Sequence, residues 1–222
     1  MAFTSTYTKS TSPSSTKLFS LKPAAVPLMD AGKALARSGE LLIDATSNPK
    51  LDIYGGGLSS TGANIRNSGD CIAQAAASCR FKTAAELVSD ELRESATCFL
   101  ECVENHLLKA IDDAQVDEML DLKHILEKEV LPSMTNYSTY MEQAGAGIVK
   151  RETVADIGKN FYESGKELEI LALAIQKIDT EMEETKVSGQ RMLYASEMMK
   201  LAGNNLMGVA PEKKKGKGWL KG

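Results

Sequence analysis

The feature that most restricts this chain is a march of alternating four- and three-residue steps that starts at Ile157 and does not slip before Leu206. It passes through Phe161, Ser164, Leu168, Leu171, Ile175 and Ile178, then Met182, Thr185, Gly189, Met192, Ser196, Met199 and Gly203. A seven-residue repeat of this kind keeps one seam turned toward a neighbour when the chain is helical. As one helix of about 50 residues it would be a rod about 75 Å long, at about 1.5 Å per residue. The seam is apolar in its middle. Ser164, Thr185, Gly189, Ser196 and Gly203 leave room for a neighbour to come close, or for a bend. Other helices must lie beside such a rod to cover it. The expected fold class is therefore all-α: an elongated antiparallel helical bundle with a long coiled-coil-like C-terminal helix and disordered termini.

The rest of the chain agrees with helix. Ala, Leu, Glu, Lys and Met are frequent, and only 6 of 222 residues are proline, which disfavours a sheet-rich fold. After Pro27, the spacing of Leu28, Ala31, Leu35, Leu42 and Ala45 predicts a short amphipathic helix ending before Pro49. A weaker helical pattern rich in small residues follows from about Leu58 to Arg80. Thr83 with Glu86 forms a capping box, and the helix it opens is carried by Val88, Leu92, Phe99, Cys102, Leu107 and Ile111. A further apolar stripe runs from Val116 to Leu131, where Pro132 is expected to end or kink it. The stretch "AGAGIV" at 144–149 reads as a break. No apolar run reaches the ~18 residues that spanning a membrane requires.

Three parts are expected: a disordered or extended Ser/Thr-rich arm at 1–26, the helical bundle at 27–207, and a flexible basic tail at 208–222. The arm has no hydrophobic period and cannot bury enough apolar surface to offset its chain entropy. Its Ser-rich, acid-poor composition also suits an organelle transit peptide, so the expected location is the cytoplasm or, if the arm is a transit peptide, an organelle stroma.

"GGGLSSTGAN", from Gly55, tests whether the chain grips phosphate. A phosphate-cradling loop needs G-x4-G-K-[ST], and Gly57 to Gly62 has the spacing. Ala63 and Asn64 stand where Lys and Ser/Thr are required, and no apolar strand leads in. The stretch reads as a joint between helices.

The thiols raise a second question. Cys98, Cys102 and His106 fall at i, i+4 and i+8 along one helix face, with Cys71 and Cys79 on the preceding pattern. Such a row could supply soft ligands to a metal or attach a pigment. The same residues serve equally as a cysteine-lined core seam. Carboxylate chemistry is poorly supplied. A di-metal bundle needs two Glu-x-x-His motifs, and here only Asp121-x-x-His124 comes near. With two histidines in the chain, and neither a serine elbow nor a paired-acid motif, no enzyme is expected.

Charge is layered along the chain. Formal net charge is -4, yet residues 1–29 carry only Lys9, Lys17 and Lys22, and residues 212–222 carry five lysines against Glu212, leaving -11 between them. An acidic body with basic ends can hold several parts of an assembly at once. In the tail, Lys213, Lys214, Lys215, Lys217 and Lys221 surround the lone Trp219 and Leu220. They suit docking on an acidic protein surface, and equally on an anionic membrane surface as a peripheral contact. One aromatic and no Arg give no means of specific nucleic-acid recognition.

These features point to a non-enzymatic scaffold, linker or adaptor without a resident cofactor. It would join a protein complex through its arm and tail, and its seam is also able to pair two copies of the chain. The alternative is an accessory protein that carries a metal or pigment on its cysteines, as in a light-harvesting antenna.

Overall fold

The computed structural model describes residues 21–45, 63, 66–78, 85–117, 119–178 and 183–210. The described residues are all-α, with no strand among them. Helix α1 is Ala25–Ala45, α2 comprises the helical residues 66–78, and α3 is Ala85–Cys102. A π-turn at Val103–Leu107 leads from α3 into α4, Leu108–Val116. Next come α5, Leu120–Ile125, a second π-turn at Leu126–Val130, and α6, Leu131–Lys150. The last two described helices are α7, Val154–Ile178, and α8, Glu183–Met207.

The helical body begins before residue 27. Leu21 is 2% exposed, a 3-10 turn covers Lys22–Ala24, and Ala24 and Ala25 are buried, so residues 21–26 belong to the fold rather than to an extended arm. Pro27 does not delay the start, because a first-turn N–H has no helical partner to lose. Asn205 Nδ2 donates to the Pro23 carbonyl at 3.0 Å and fastens this start to α8. Leu28, Ala31, Leu35, Ser38 and Leu42 are buried, the stripe their spacing requires.

The heptad march does not form one rod. It is divided between α7 and α8, each 25 residues long, and these lie antiparallel against each other. A Cβ on Gly158 would meet the carbonyl oxygen of Gly203 at 2.8 Å, and one on Gly165 would meet that of Ser196 at 2.8 Å. The physical reason is small residues on both helices, in a row beside the seam on α7 and within the seam itself on α8. Gly158, Gly165 and Ala172 recur every seven positions on α7, as Gly189, Ser196 and Gly203 do on α8. In antiparallel register Gly158 opposes Gly203 and Gly165 opposes Ser196, so the two backbones approach there with little side chain between them, while Gly189 lies against the Gln176 side chain. Seam positions from Ile157 to Ile175 and from Thr185 to Leu206 are buried, whereas Ile178, at the end of α7, is 37% exposed.

Two expected interruptions are continuous helix instead. Pro132 stands in the first turn of α6, directly after the π-turn, where its missing N–H is tolerated. "AGAGIV" lies inside α6, and its glycines serve contact. A Cβ on Gly145 would meet the Ser89 carbonyl at 2.9 Å, so α3 packs directly on the α6 backbone there. The chain turns only at Arg151, in the left-handed region at φ 62°, and the Glu152 N–H closes the helix end onto the Gly147 carbonyl at 2.9 Å. The next helix is capped by Thr153 Oγ1, which accepts the Asp156 N–H at 3.1 Å.

The helices are arranged like a bundle. In sequence of contact, α1 packs on α8, α8 on α7, α7 on α6, and α6 on α3, while α2 touches α1, α3 and α6. One apolar core runs through them, from Leu28 in α1 through Phe99, Met141 and Phe161 to Met199. Among the described residues no helix is long and apolar enough to cross a membrane.

Candidate functional site

The most chemically differentiated place in the described chain is where α2, α3 and α6 meet. Small residues create it. A Cβ on Gly69 would collide with the Ala36 amide and lie 2.5 Å from the Gly32 carbonyl, so α2 presses directly on α1. The neighbouring Ser68 is thereby carried into the core at 0% exposure. There Ser68 Oγ lies 2.7 Å from Ser95 Oγ and 3.3 Å from Tyr137 Oη, and Ser95 Oγ lies 2.9 Å from Tyr137 Oη. Three helices thus satisfy one another's buried hydroxyls. The Tyr137 ring is tilted 35° against Phe99 with centroids 4.3 Å apart. Burial pushes the Tyr137 phenol up to about 12, partly offset by the Ser68 and Ser95 hydrogen bonds. Near neutral pH it is a neutral hydrogen-bonding group.

One helical turn beyond the serines, on the same faces, come Cys71 and Cys98. The two thiols perturb each other's ionisation, and Cys71 and Glu91 do the same. Cys98 accepts from Cys71, which holds its pKa below the ordinary thiol value against the effect of burial. Cys71 is pushed up, first by sharing its proton in an interaction with Cys98 and then by desolvation. Desolvation also raises Glu91, with the Cys71 hydrogen bond opposing it. Cys98 is buried and Cys71 half-buried, so the pair spans core and rim.

This pairing differs from the expected row along one helix. Cys102 is buried a turn beyond Cys98, and His106 is half-buried on the π-turn. Among the described residues no three His, Cys, Asp or Glu side chains converge as a metal site would need. Cys79 lies outside the described residues, as does the Gly55–Gly62 stretch. Asp121 and His124 are both exposed. Of the expected docking residues, Lys22 lies exposed on the 3-10 turn. Lys9, Lys17, Lys213, Lys214, Lys215, Lys217, Trp219, Leu220 and Lys221 lie outside the described residues.

The hydroxyl cluster and the Cys71–Cys98 pairing were missed by sequence reasoning, although a signal was there. "SGDC" from Ser68 and "SATC" from Ser95 repeat Ser-x-x-Cys, which places a hydroxyl and a thiol on one helix face twice.

Two surface features accompany the junction. An open groove of about 800 Å³ runs beside α6 and α7, with Lys150 and Lys159 facing Glu152, Asp156 and Glu163. A hollow of about 380 Å³ is lined by Met119, Leu120, Asp121, Leu122, Ile125, Lys177 and Ile178. At the hollow Leu120 is 63% and Ile178 37% exposed, and Val116, at the end of α4, is 79% exposed. Compared with known families, curated proteins and solved structures, the chain shows no significant match to any.

Proposed function

We propose that this protein is a non-enzymatic helical scaffold or adaptor that docks into a larger protein assembly. The observation that carries the reading is the exposed apolar surface around Leu120, Val116 and Ile178, on a chain whose middle is acidic and whose ends are basic. Large side chains left in water beside a shaped hollow favour a protein partner, since their burial is worth about 25 cal/mol per Å². The lysines at 213–217 and 221 supply the opposite charge to an acidic surface, and Trp219 offers an anchor of the kind that dominates interface energy. Basic ends on a packed body gain avidity by binding at two places at once. The finer architecture belongs with this reading: an elongated antiparallel bundle with coiled-coil-like helix pairs would act as the spacer between those ends.

The test is recovery of the assembly with the full chain, identification of its components by mass spectrometry, and reconstitution from purified parts. Removing residues 212–222 is expected to weaken the reconstituted complex at least tenfold, and raising salt to weaken the wild-type complex but not the truncated one. A complex unaffected by the truncation and by Leu120→Asp, or a turnover activity of the isolated chain, would overturn the reading.

A further inference from the structure

We propose that the basic tail of one chain, Lys213–Gly222, docks on the exposed face of α3 and α4 in a second copy. The face is a stripe at four-residue steps: Leu100, Glu104, Leu108, Asp112 and Val116 are all exposed, Leu100 to 40% and Leu108 to 46%. A step of four drifts by about 40° around an α-helix. The π-turn at Val103–Leu107 turns less per residue and takes back part of that drift, so the stripe stays on one side. Apolar and acidic side chains therefore alternate along it.

Charge names the occupant. Between Leu100 and Val116 stand Glu101, Glu104, Asp112 and Asp113 against one lysine, Lys109. Among the described residues none of these four acids is held in an ion pair. By contrast, Glu129, Glu142 and Glu169 are each paired with a base on another helix. The tail offers the complement, with five lysines around Trp219 and Leu220. An aromatic and an aliphatic anchor flanked by cations match leucines flanked by carboxylates.

Reach makes the contact one between copies. Successive helices in the order α3, α6, α7, α8 run in opposite directions, so α3 and α8 are antiparallel. Ser95 meets Tyr137, Asn136 meets Glu167, and Gly165 faces Ser196, which puts all of them near one level of the bundle. From that level α3 and its continuation climb 13 residues to Leu108, about 20 Å, and α8 descends 11 residues to Met207, about 17 Å. Leu108 and the end of α8 thus lie about 36 Å apart along the bundle, with α6 and α7 between them at about 8–10 Å per helix pair. The Val209 N–H is bonded to the Asn204 carbonyl at 2.9 Å, so the tail departs from there. The ten residues from Val209 to Trp219 span at most about 33–36 Å, too short to pass around α7 and α6 to the Leu108 of the same chain. A second copy has no such limit, and two chains that exchange tails close as a dimer. This docking rests on the role given to the tail in the scaffold reading, and it uses a surface apart from the hollow at Leu120.

Trp219 is the only tryptophan, so its fluorescence reports the tail directly. In the experiment, wild-type chain at a fixed low concentration is titrated with full-length Trp219→Phe chain, which is silent but keeps the face. The Trp219 emission is expected to shift to the blue and saturate. Sedimentation of the wild type should pass from the 23.9 kDa monomer to a dimer over the same concentrations. Adding Glu104→Lys and Asp112→Lys to the silent chain should raise the midpoint at least tenfold, and adding Leu108→Gln should also raise it. Circular dichroism is expected to be unchanged in both, because all three positions are exposed. No shift with the silent chain, or an equal midpoint with the charge-reversed one, would overturn the proposal. So would emission that is already blue at the lowest concentration and unmoved by titration, which is the signature of a tail docked on its own chain. A tail that is needed for the larger assembly but shows no docking on a second copy would remove this inference and leave the scaffold reading standing.

Discussion

Gly158 and Gly203 meet across α7 and α8 with no side chain between them: a Cβ on Gly158 would lie 2.8 Å from the Gly203 carbonyl oxygen and equally close to Leu206 Cβ. Neither backbone can move aside cheaply, because α7 and α8 are also joined by the Leu168, Leu171, Met192 and Met199 layers of the core. Gly203→Leu is therefore expected to destabilise the chain by about 3 kcal/mol through overpacking. For a chain of this size that lowers Tm by about 6–12 °C, read by thermal unfolding followed with circular dichroism. Gly208→Ala is the contrast. Its φ is +71° and nothing stands within 4 Å, so only the left-handed backbone resists and about 1 kcal/mol is lost. Equal losses in the two variants would refute the close-contact account.

The tyrosine buried under the serines makes stability depend on pH. Its folded pKa of about 12 lies above the ordinary value near 10, so the folded state keeps the proton where the unfolded state releases it. The stability this contributes is complete below about pH 10 and is lost as pH rises toward 12. Burial without charge is worth about 2–3 kcal/mol here by linkage. Urea midpoints measured from pH 9 to 12 are expected to fall more steeply for the wild type than for Tyr137→Phe. At pH 8 that variant should be less stable by about 1 kcal/mol, for the lost hydroxyl bonds alone.

Local propensity and period made α1, α3, α7 and α8 legible, because Leu28, Leu35, Val88, Leu92, Phe161 and Leu168 repeat at helical spacing and are buried where that spacing puts them. The fold-back between α7 and α8 was not legible in the same signal. A heptad seam reads alike whether the helix continues or returns on itself, and neither Gly nor Pro stands between Ile178 and Glu183 to mark a reversal. The information lay in Gly158 and Gly165, beside the seam on α7, which lie against the Gly203 and Ser196 carbonyls of α8. Gly145 was misread for the same reason: a glycine that breaks a lone helix lets α3 pack closely on α6. The junction at Ser68, Ser95 and Tyr137 depends on three segments far apart in the chain, and no local pattern states which hydroxyls will meet.

Ser38 and Ser188 join the first and last helices. Their Oγ atoms are 2.8 Å apart, and each lies within hydrogen-bonding distance of the other's main-chain carbonyl, at 3.1 and 3.0 Å. Both are fully buried, so truncating one leaves the other its carbonyl acceptor but not its hydroxyl partner. Each single alanine variant is expected to cost about 1 kcal/mol, and the double variant less than the sum, with a coupling of about 0.5–1.5 kcal/mol. A double-mutant cycle in urea measures this. A coupling near zero would mean that α1 is held to α8 by Leu28, Leu35 and Leu42 without help from the serine pair.

Leu120 separates the docking surface from the fold. Its side chain is 63% exposed at the start of α5, and its neighbours in the hollow, Leu122 and Ile125, are half-buried. Leu120→Asp removes little buried apolar area, and Asp in the first turn of a helix is favoured by the unpaired N–H groups there. The variant should unfold within about 0.5 kcal/mol of the wild type. Binding is a different matter: a carboxylate placed in an apolar contact must be desolvated, and the complex should weaken by at least tenfold, equivalent to about 1.4 kcal/mol. Urea unfolding and titration calorimetry with the reconstituted partner read the two quantities separately. Unchanged stability with lost binding marks the hollow as the contact, whereas loss of both would make Leu120 part of the core and remove the apolar surface on which docking rests.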